Sequence, residues 1–195
     1  MREAPWDTAG RPAVRADPSR RERIARAAIS VVAERGVDGL THRAVAAAAD
    51  VPLGSTTYHF QTLDDLLEEA LRHAADDNIG AIRAWESGLA PDGAFAEAMT
   101  DLVMGYVGEN RSHTVVEYDL YIAALHRPAL RPVSAAWDNA LVEVFGRRTD
   151  PLTGRVLAGL FCGLLMQSAM ADPPPSAEAI REVFRRAIEG PHTAA

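Results

Sequence analysis

Lysine is missing from the 195 residues and cysteine occurs once, so the chain has no intramolecular disulfide and takes all 20 basic side chains from arginine. Arginine-only usage fits GC-rich coding and carries no functional weight by itself. With Cys162 alone and no apolar h-region in residues 1–20, a reducing, cytoplasmic setting is expected. The longest apolar run, Val156 to Met166, has 11 residues, short of the roughly 20 that cross a bilayer, so no membrane span is expected. No segment sustains a period of two, which argues against a sheet. Metal-ligand spacing, a glycine-rich phosphate loop and a nucleophile beside a base are all missing, so neither catalysis nor a metal or cofactor is expected. Cys162, set in apolar sequence, reads as packing.

With 48% apolar and 24% charged residues the chain can bury a proper core, and its length suits one medium domain or a small one joined to a larger one. The net charge of −7 is unevenly spread. Residues 1–60 carry nine arginines against seven acids, and residues 61–195 carry eleven against twenty. Only the N-terminal third suits a polyanion, so any nucleic acid is expected at that end, with the acidic remainder facing away.

Residues 1–17 mix Pro, Gly, Ala and charge without period and read as a flexible arm ahead of a compact unit at 18–62 and a body at 63–195. Asp17-Pro18 starts a helix that runs to Arg35 with Ile24, Ala27, Ala28, Val31 and Val32 on one side, and Gly36 stops it. Thr41 caps a short alanine-rich helix from His42 to Ala49. Asp50-Val51-Pro52 breaks it, Pro52 to His59 makes a third, and Thr62 caps a fourth that extends to about Glu86. Further helices are expected at Ala94–Glu109, Ser112–His126, Ala129–Arg147 and Leu152–Ala171, with a last one after a Ser176 cap that closes at Gly190-Pro191. The fold class is therefore all-α, with about nine helices.

Two short helices joined by a tight turn outline a helix-turn-helix. Leu53-Gly54-Ser55-Thr56-Thr57-Tyr58-His59-Phe60 sharpens the outline, because hydroxyls, an imidazole and a phenol crowd a helix with few apolar anchors. Such groups donate to phosphate oxygens and meet base edges, Gly54 permits close approach to a groove, and the positive helix start favours phosphate. The competing account makes Tyr58 and Phe60 core aromatics and leaves the hydroxyls merely solvated.

Gly39-Leu40-Thr41-His42-Arg43-Ala44-Val45-Ala46, Asp50-Val51-Pro52-Leu53-Gly54 and Tyr58-His59-Phe60, in that order and spacing, resemble the DNA-binding domain of TetR-family transcriptional repressors. The resemblance covers residues 18–70 and includes the Glu34-Arg35-Gly36 ending of the first helix. It implies a homodimer on a double-stranded DNA operator, with an N-terminal three-helix DNA-binding head and a C-terminal helical body that holds a small-molecule effector and the dimer interface. Carried onto this sequence, it gives base contact to Arg43, Pro52, Leu53, Gly54 and Ser55, and backbone contact to Thr41, Thr57, Tyr58 and His59. Arg43 suits the role independently, since its fork pairs with guanine O6 and N7. Thr57 stands where the family often has an aromatic, and Leu63 where it often has a lysine. The phosphate contact made by that lysine is then either missing or replaced by Arg15, Arg20 or Arg21.

A sensor body needs a concave, largely apolar site with a few polar groups. The candidates are Trp85, Phe95, Met99, Val103, Tyr106, Tyr118, Tyr121, Leu125, Trp137, Phe161 and Met166, with His113, Glu117, Asn139 and Gln167 as polar anchors. Together they suit a small, mostly apolar effector. The eighth helix is apolar nearly all round and carries Gly159 and Gly163. It is expected to sit between its own core and a partner subunit, with the ninth helix beside it in a four-helix dimer bundle. A helical protein-interaction module that uses the N-terminal pair on protein in place of DNA stays open as the alternative.

Overall fold

The computed structural model describes residues 20–90, 94–108 and 110–190. The arm at 1–17 and its Asp17-Pro18 helix start lie outside the described residues. Among those described there are nine α-helices, two short 3-10 turns and no strand. The helices are α1 (Arg20–Arg35), α2 (His42–Ala48), α3 (Leu53–His59), α4 (Leu63–Gly88), α5 (Phe95–Val107), α6 (Arg111–His126), α7 (Arg131–Gly146), α8 (Pro151–Met170) and α9 (Ala177–Glu189).

Local chemistry sets most of these ends. Thr41 accepts from the Ala44 amide, Ser176 from Ala179, and Asp150 from Leu152 and Thr153. Thr62 and Asp65 exchange side-chain and backbone bonds in a capping box that starts α4. Gly36 and Gly190 stop α1 and α9 with φ of +69° and +78°, a region that L side chains rarely adopt. The turn between α2 and α3 uses Asp50 at φ 51°. There Val51 N–H bonds the Ala46 carbonyl at 3.0 Å and Asp50 N–H bonds Ala47 at 3.3 Å, a Schellman closure with aspartate where glycine is usual. The seventh helix begins later than its sequence implies, because Pro128–Leu130 forms a separate 3-10 turn.

Arginine forks close three helix ends from a distance. Arg23 of α1 donates to the Ala49 carbonyl after α2, and Arg21 donates to the His59 carbonyl of α3. Arg148, just past α7, donates to Glu86 and Leu89 carbonyls at the end of α4 and pairs with the Glu86 carboxylate at 2.6 Å. Each bond satisfies carbonyls that a helix C-terminus leaves unpaired.

α4, about 39 Å long, runs from the three N-terminal helices into the body and packs against α1, α6 and α7. One continuous core includes Ile24, Val31, Val45, Phe60, Leu66, Leu71, Ile82, Met99, Leu120, Phe145, Leu157 and Phe184. α7 and α8 meet at Gly154, where a Cβ would lie 2.6 Å from the Gly146 nitrogen and 2.8 Å from the Val142 carbonyl oxygen.

Two features of the last helices bear on the expectations. Measured as a helix, α8 is long and apolar enough by length and composition to cross a membrane, since it continues past the apolar run on both sides. It nevertheless packs against α5, α6, α7 and α9, with Leu157, Phe161 and Leu165 buried. α9 puts part of its apolar stripe inside the subunit: Ile180 and Phe184 are buried and the helix lies on α5 and α8, while Val183 stays exposed.

Candidate functional site

The surface of α2 and α3 is the first candidate. α3 sends only Thr56 fully inward, with Phe60 just beyond it, and the Thr56 hydroxyl donates back to the Leu53 carbonyl at 2.7 Å. Tyr58 is 82% exposed, and Leu53, 44% exposed, faces outward beside Gly54 and Thr57. Around Gly54, an added Cβ would meet nothing within 4 Å, so no neighbour in the fold demands glycine there. Thr41, Arg43 and Pro52 are exposed, while Ser55 and His59 are half-buried. Of the nine residues predicted for DNA, seven are exposed and two half-buried, and the competing account holds for Phe60 but not for Tyr58.

Arg21 does not hang free as a replacement phosphate ligand. Its guanidinium donates to the His59 carbonyl at 2.9 Å and to Glu69 at 2.8 Å, and lies 4.4 Å from the centre of the Phe60 ring. Arg15 falls outside the described residues.

The second candidate is a cavity of about 30 Å³ lined by α4, α6, α7 and α8. Tyr118, Tyr121, Trp137, Phe161, Leu141 and Leu165 form its apolar wall, and Asn78, Glu117 and Asp138 supply polar atoms. Asn78 organises these groups. Its amide nitrogen donates to both Glu117 oxygens at 3.1 and 3.0 Å and to the Tyr106 hydroxyl at 3.0 Å, while its carbonyl accepts from Trp137 Nε1 at 3.2 Å. The amide orientation is fixed by these partners, since carboxylate requires the NH₂ side and indole N–H requires oxygen. Tyr121 donates to Asp138 at 3.0 Å and Tyr118 to the Cys162 carbonyl at 2.9 Å. Outside the Tyr121–Asp138 pair a groove of about 310 Å³ runs between α7 and α8.

Burial dominates the electrostatics. It pushes the Glu117 carboxyl up to about 7, against the pull of the Asn78 amide and with Asp77 adding to the rise. Burial also raises Asp138, with the Tyr121 hydroxyl opposing, and raises Tyr121 to about 12 and Cys162 to about 11. The Cys162 thiol is accordingly a packing group.

Residues 24–70 match the bacterial regulatory proteins of the tetR family, and residues 90–190 match the tetracyclin repressor-like, C-terminal domain. The multidrug binding protein EbrR, solved with imidazole, is 44% identical, with a TM-score of 0.81 over 92% of this chain and 100% of its own. The chain belongs to the TetR family. Another TetR-family member, from Streptomyces coelicolor A3, is 45% identical over 88% of this chain and 99% of its own, with a TM-score of 0.77. The HTH-type transcriptional regulator BetI of Cronobacter sakazakii is 24% identical over 188 residues, 91% of this chain and 93% of the relative. This TetR-family chain is thus a transcriptional regulator with a DNA-binding helix-turn-helix and a ligand-binding body, as the motif between Gly39 and Phe60 implied.

Within the TetR-family body, the cavity gathers Glu117, Tyr118, Tyr121, Trp137 and Phe161 from the fifteen predicted residues, and Tyr106 joins through Asn78. Trp85 and Phe95 stack on each other at 6.2 Å, away from its wall, and Met99 and Val103 are fully buried core. Met166 is half-buried and also off the wall, whereas Leu125, Asn139 and Gln167 face solvent. His113 is exposed yet approaches Glu117 at 3.2 Å. Asn78 and Asp138 were missed. The signal for Asn78 was its place on the apolar face of α4, four residues before Ile82 and seven after Leu71.

The raised Glu117 carboxyl makes stability depend on pH. An unfolded chain releases this proton near the ordinary 4.5, and the folded chain keeps it up to about 7. Between those values the native state binds the extra proton, so stability falls as pH rises and the penalty is complete above pH 7, on the order of 3 kcal/mol. Glu117→Gln is expected to be near neutral at pH 5 and to raise the melting midpoint by several degrees at pH 8. Equal shifts at the two pH values, read by calorimetry, contradict this account.

Proposed function

We propose that this protein is a one-component transcriptional repressor, acting in the cytoplasm, that binds a pseudo-palindromic operator as a homodimer and leaves it when an aromatic cation fills the body cavity. The observation that carries the DNA half is α3, which holds Thr56 and Phe60 in the core and turns Tyr58, Leu53, Gly54 and Thr57 to solvent. Packing alone does not require that surface. Arg43, Pro52, Leu53, Gly54 and Ser55 read bases, and Thr41, Thr57, Tyr58 and His59 hold the backbone. Residues 18–62 form the head and 63–195 the body, with 1–17 as an arm before them.

The dimer seam is the outer face of α8. Leu152, Val156 and Met170 are exposed there, and Gly159 and Gly163 have open space where a Cβ would stand. Two heads related by a two-fold axis reach successive major grooves about 34–36 Å apart.

For the effector, the carboxylates refine the expectation of a mostly apolar molecule. Glu117 and Asp138 lie among four aromatic rings, a setting that stabilises a flat organic cation through charge and ring faces together. EbrR solved with ethidium and with proflavin supports this chemistry. Occupancy separates α6 and α7 from Asn78 and shifts α4, which carries the head; coupling of about 1–3 kcal/mol suffices for a 5–150-fold change in operator affinity.

Selection from a random duplex pool is expected to return inverted half-sites bound less tightly as salt rises. Calorimetric titration with ethidium, without DNA because the dye intercalates, is expected to show saturable binding that Asp138→Asn and Glu117→Gln each weaken about tenfold. An uncharged phenanthridine that binds as well as ethidium, with both variants unchanged, rejects the cation.

A further inference from the structure

α1 ends the recognition helix from outside. The last carbonyl of α3, on His59, receives Arg21 Nη1 at 2.9 Å, and the same guanidinium lies over the Phe60 ring, 4.4 Å from its centre; Phe60 is the residue that locks the end of α3 into the core. Arg21 is aimed by Glu69, whose Oε2 accepts Nη2 at 2.8 Å. Glu69 belongs to α4 and is only 7% exposed, so it faces the head from beneath and has no access to a duplex. Arg72 pairs with the same Glu69 oxygen, and His73 Nε2 stands 3.6 Å from the other. Burial pushes the Glu69 carboxyl up, but Arg72 and Arg21 outweigh it and hold the group ionised.

We propose that Arg21 and Glu69 are positioning residues for DNA binding, a clamp through which α4 fixes the orientation of α3 without touching the operator. This rests on the reading of α3 as the recognition helix. The chemistry needs a fork. A lysine ammonium supplies one point of charge and no planar face, whereas the guanidinium serves a carbonyl, a carboxylate and a ring at once. The clamp also gives Arg21 a different job from a phosphate ligand, and the two are separable because a lost phosphate contact flattens the salt dependence while a misplaced helix does not.

The test measures affinity of the full-length protein for a selected operator and for random duplex across a salt series. Glu69→Gln is expected to lower operator affinity about tenfold, with random-duplex affinity, helicity, dimerisation and salt slope unchanged. Arg21→Lys is expected to show the same loss, and the double variant no further loss, because both break one clamp. If Glu69→Gln does not fold, Arg21→Gln, whose parent side chain is nearly half exposed, carries the same comparison.

Operator affinity of folded Glu69→Gln within twofold of the parent overturns the clamp. So does an Arg21→Gln loss accompanied by a slope shallower by about one phosphate, which makes Arg21 a backbone ligand. Arg43→Ala in the same assay separates the two levels. A loss there with Glu69→Gln unchanged removes the clamp and leaves the DNA-binding reading, whereas a parent protein that selects no duplex removes both.

Discussion

Arg43→Ala is expected to weaken binding to a selected operator by about 1–3 kcal/mol, roughly 5–150-fold, and to relax preference at a single base position. Arg43 is exposed near the start of α2, the helix that packs against α3. Tyr58→Ala removes a side chain 82% open to solvent, so it is expected to leave the melting midpoint nearly unchanged while lowering affinity for all duplexes alike. Gly54→Ala provides the most discriminating companion. Since nothing in the fold occupies the space of its Cβ, alanine should stabilise α3 by about 1 kcal/mol through helix propensity. A groove floor pressed against that position makes the same variant bind DNA less well. Better folding with undiminished binding places the duplex elsewhere.

Gly154→Val is expected to produce the largest loss of stability. The added Cβ would stand 2.6 Å from Gly146 N, 2.7 Å from Gly146 Cα and 2.8 Å from Val142 O, all backbone atoms that no rotamer change relieves. α7 and α8 must therefore move apart, and overpacking of this kind costs about 1–3 kcal/mol or more. Because Leu141, Phe161, Cys162 and Leu165 come from these two helices, the cavity wall opens with them. Thermal unfolding should fall by about 5–10 °C, with alanine intermediate. Gly159→Ala and Gly163→Ala form the control. They meet open space within the subunit, so each should preserve the fold, and weaker self-association in sedimentation marks the α8 face as the dimer seam. A Gly154→Val protein as stable as its parent contradicts the close crossing.

The sequence disclosed helix ends more fully than helix interiors. Thr41, Thr62 and Ser176 each make a short-range capping bond, visible as a polar residue before an apolar period, and Asp150, read only as the end of the preceding helix, caps α8 in the same way. The polar chemistry of α3 was likewise legible, because Tyr58 among hydroxyls has no core to satisfy. Arg21, Arg23 and Arg148 were not, since each caps a helix far from it in sequence, and an all-arginine composition gives no hint of which forks are engaged. The cavity was only partly legible. Period 3.6 marks Trp85, Met99 and Val103 as inward but does not tell core packing from a wall, and it passes over Asp138 in favour of its exposed neighbour Asn139.

The tightness of the cavity bears on how sensitively such a switch reports its signal. At about 30 Å³ the inner cavity admits little more than a water molecule, whereas sites for drug-sized compounds span about 300–1,000 Å³. An effector of that size, bound there as proposed, would meet a host that must first expand, and its apparent affinity would equal the intrinsic one reduced by the scarcity of expanded molecules. Detection threshold would then be a property of the resting packing, and mutations distant from any effector contact would retune the dose at which the regulator responds.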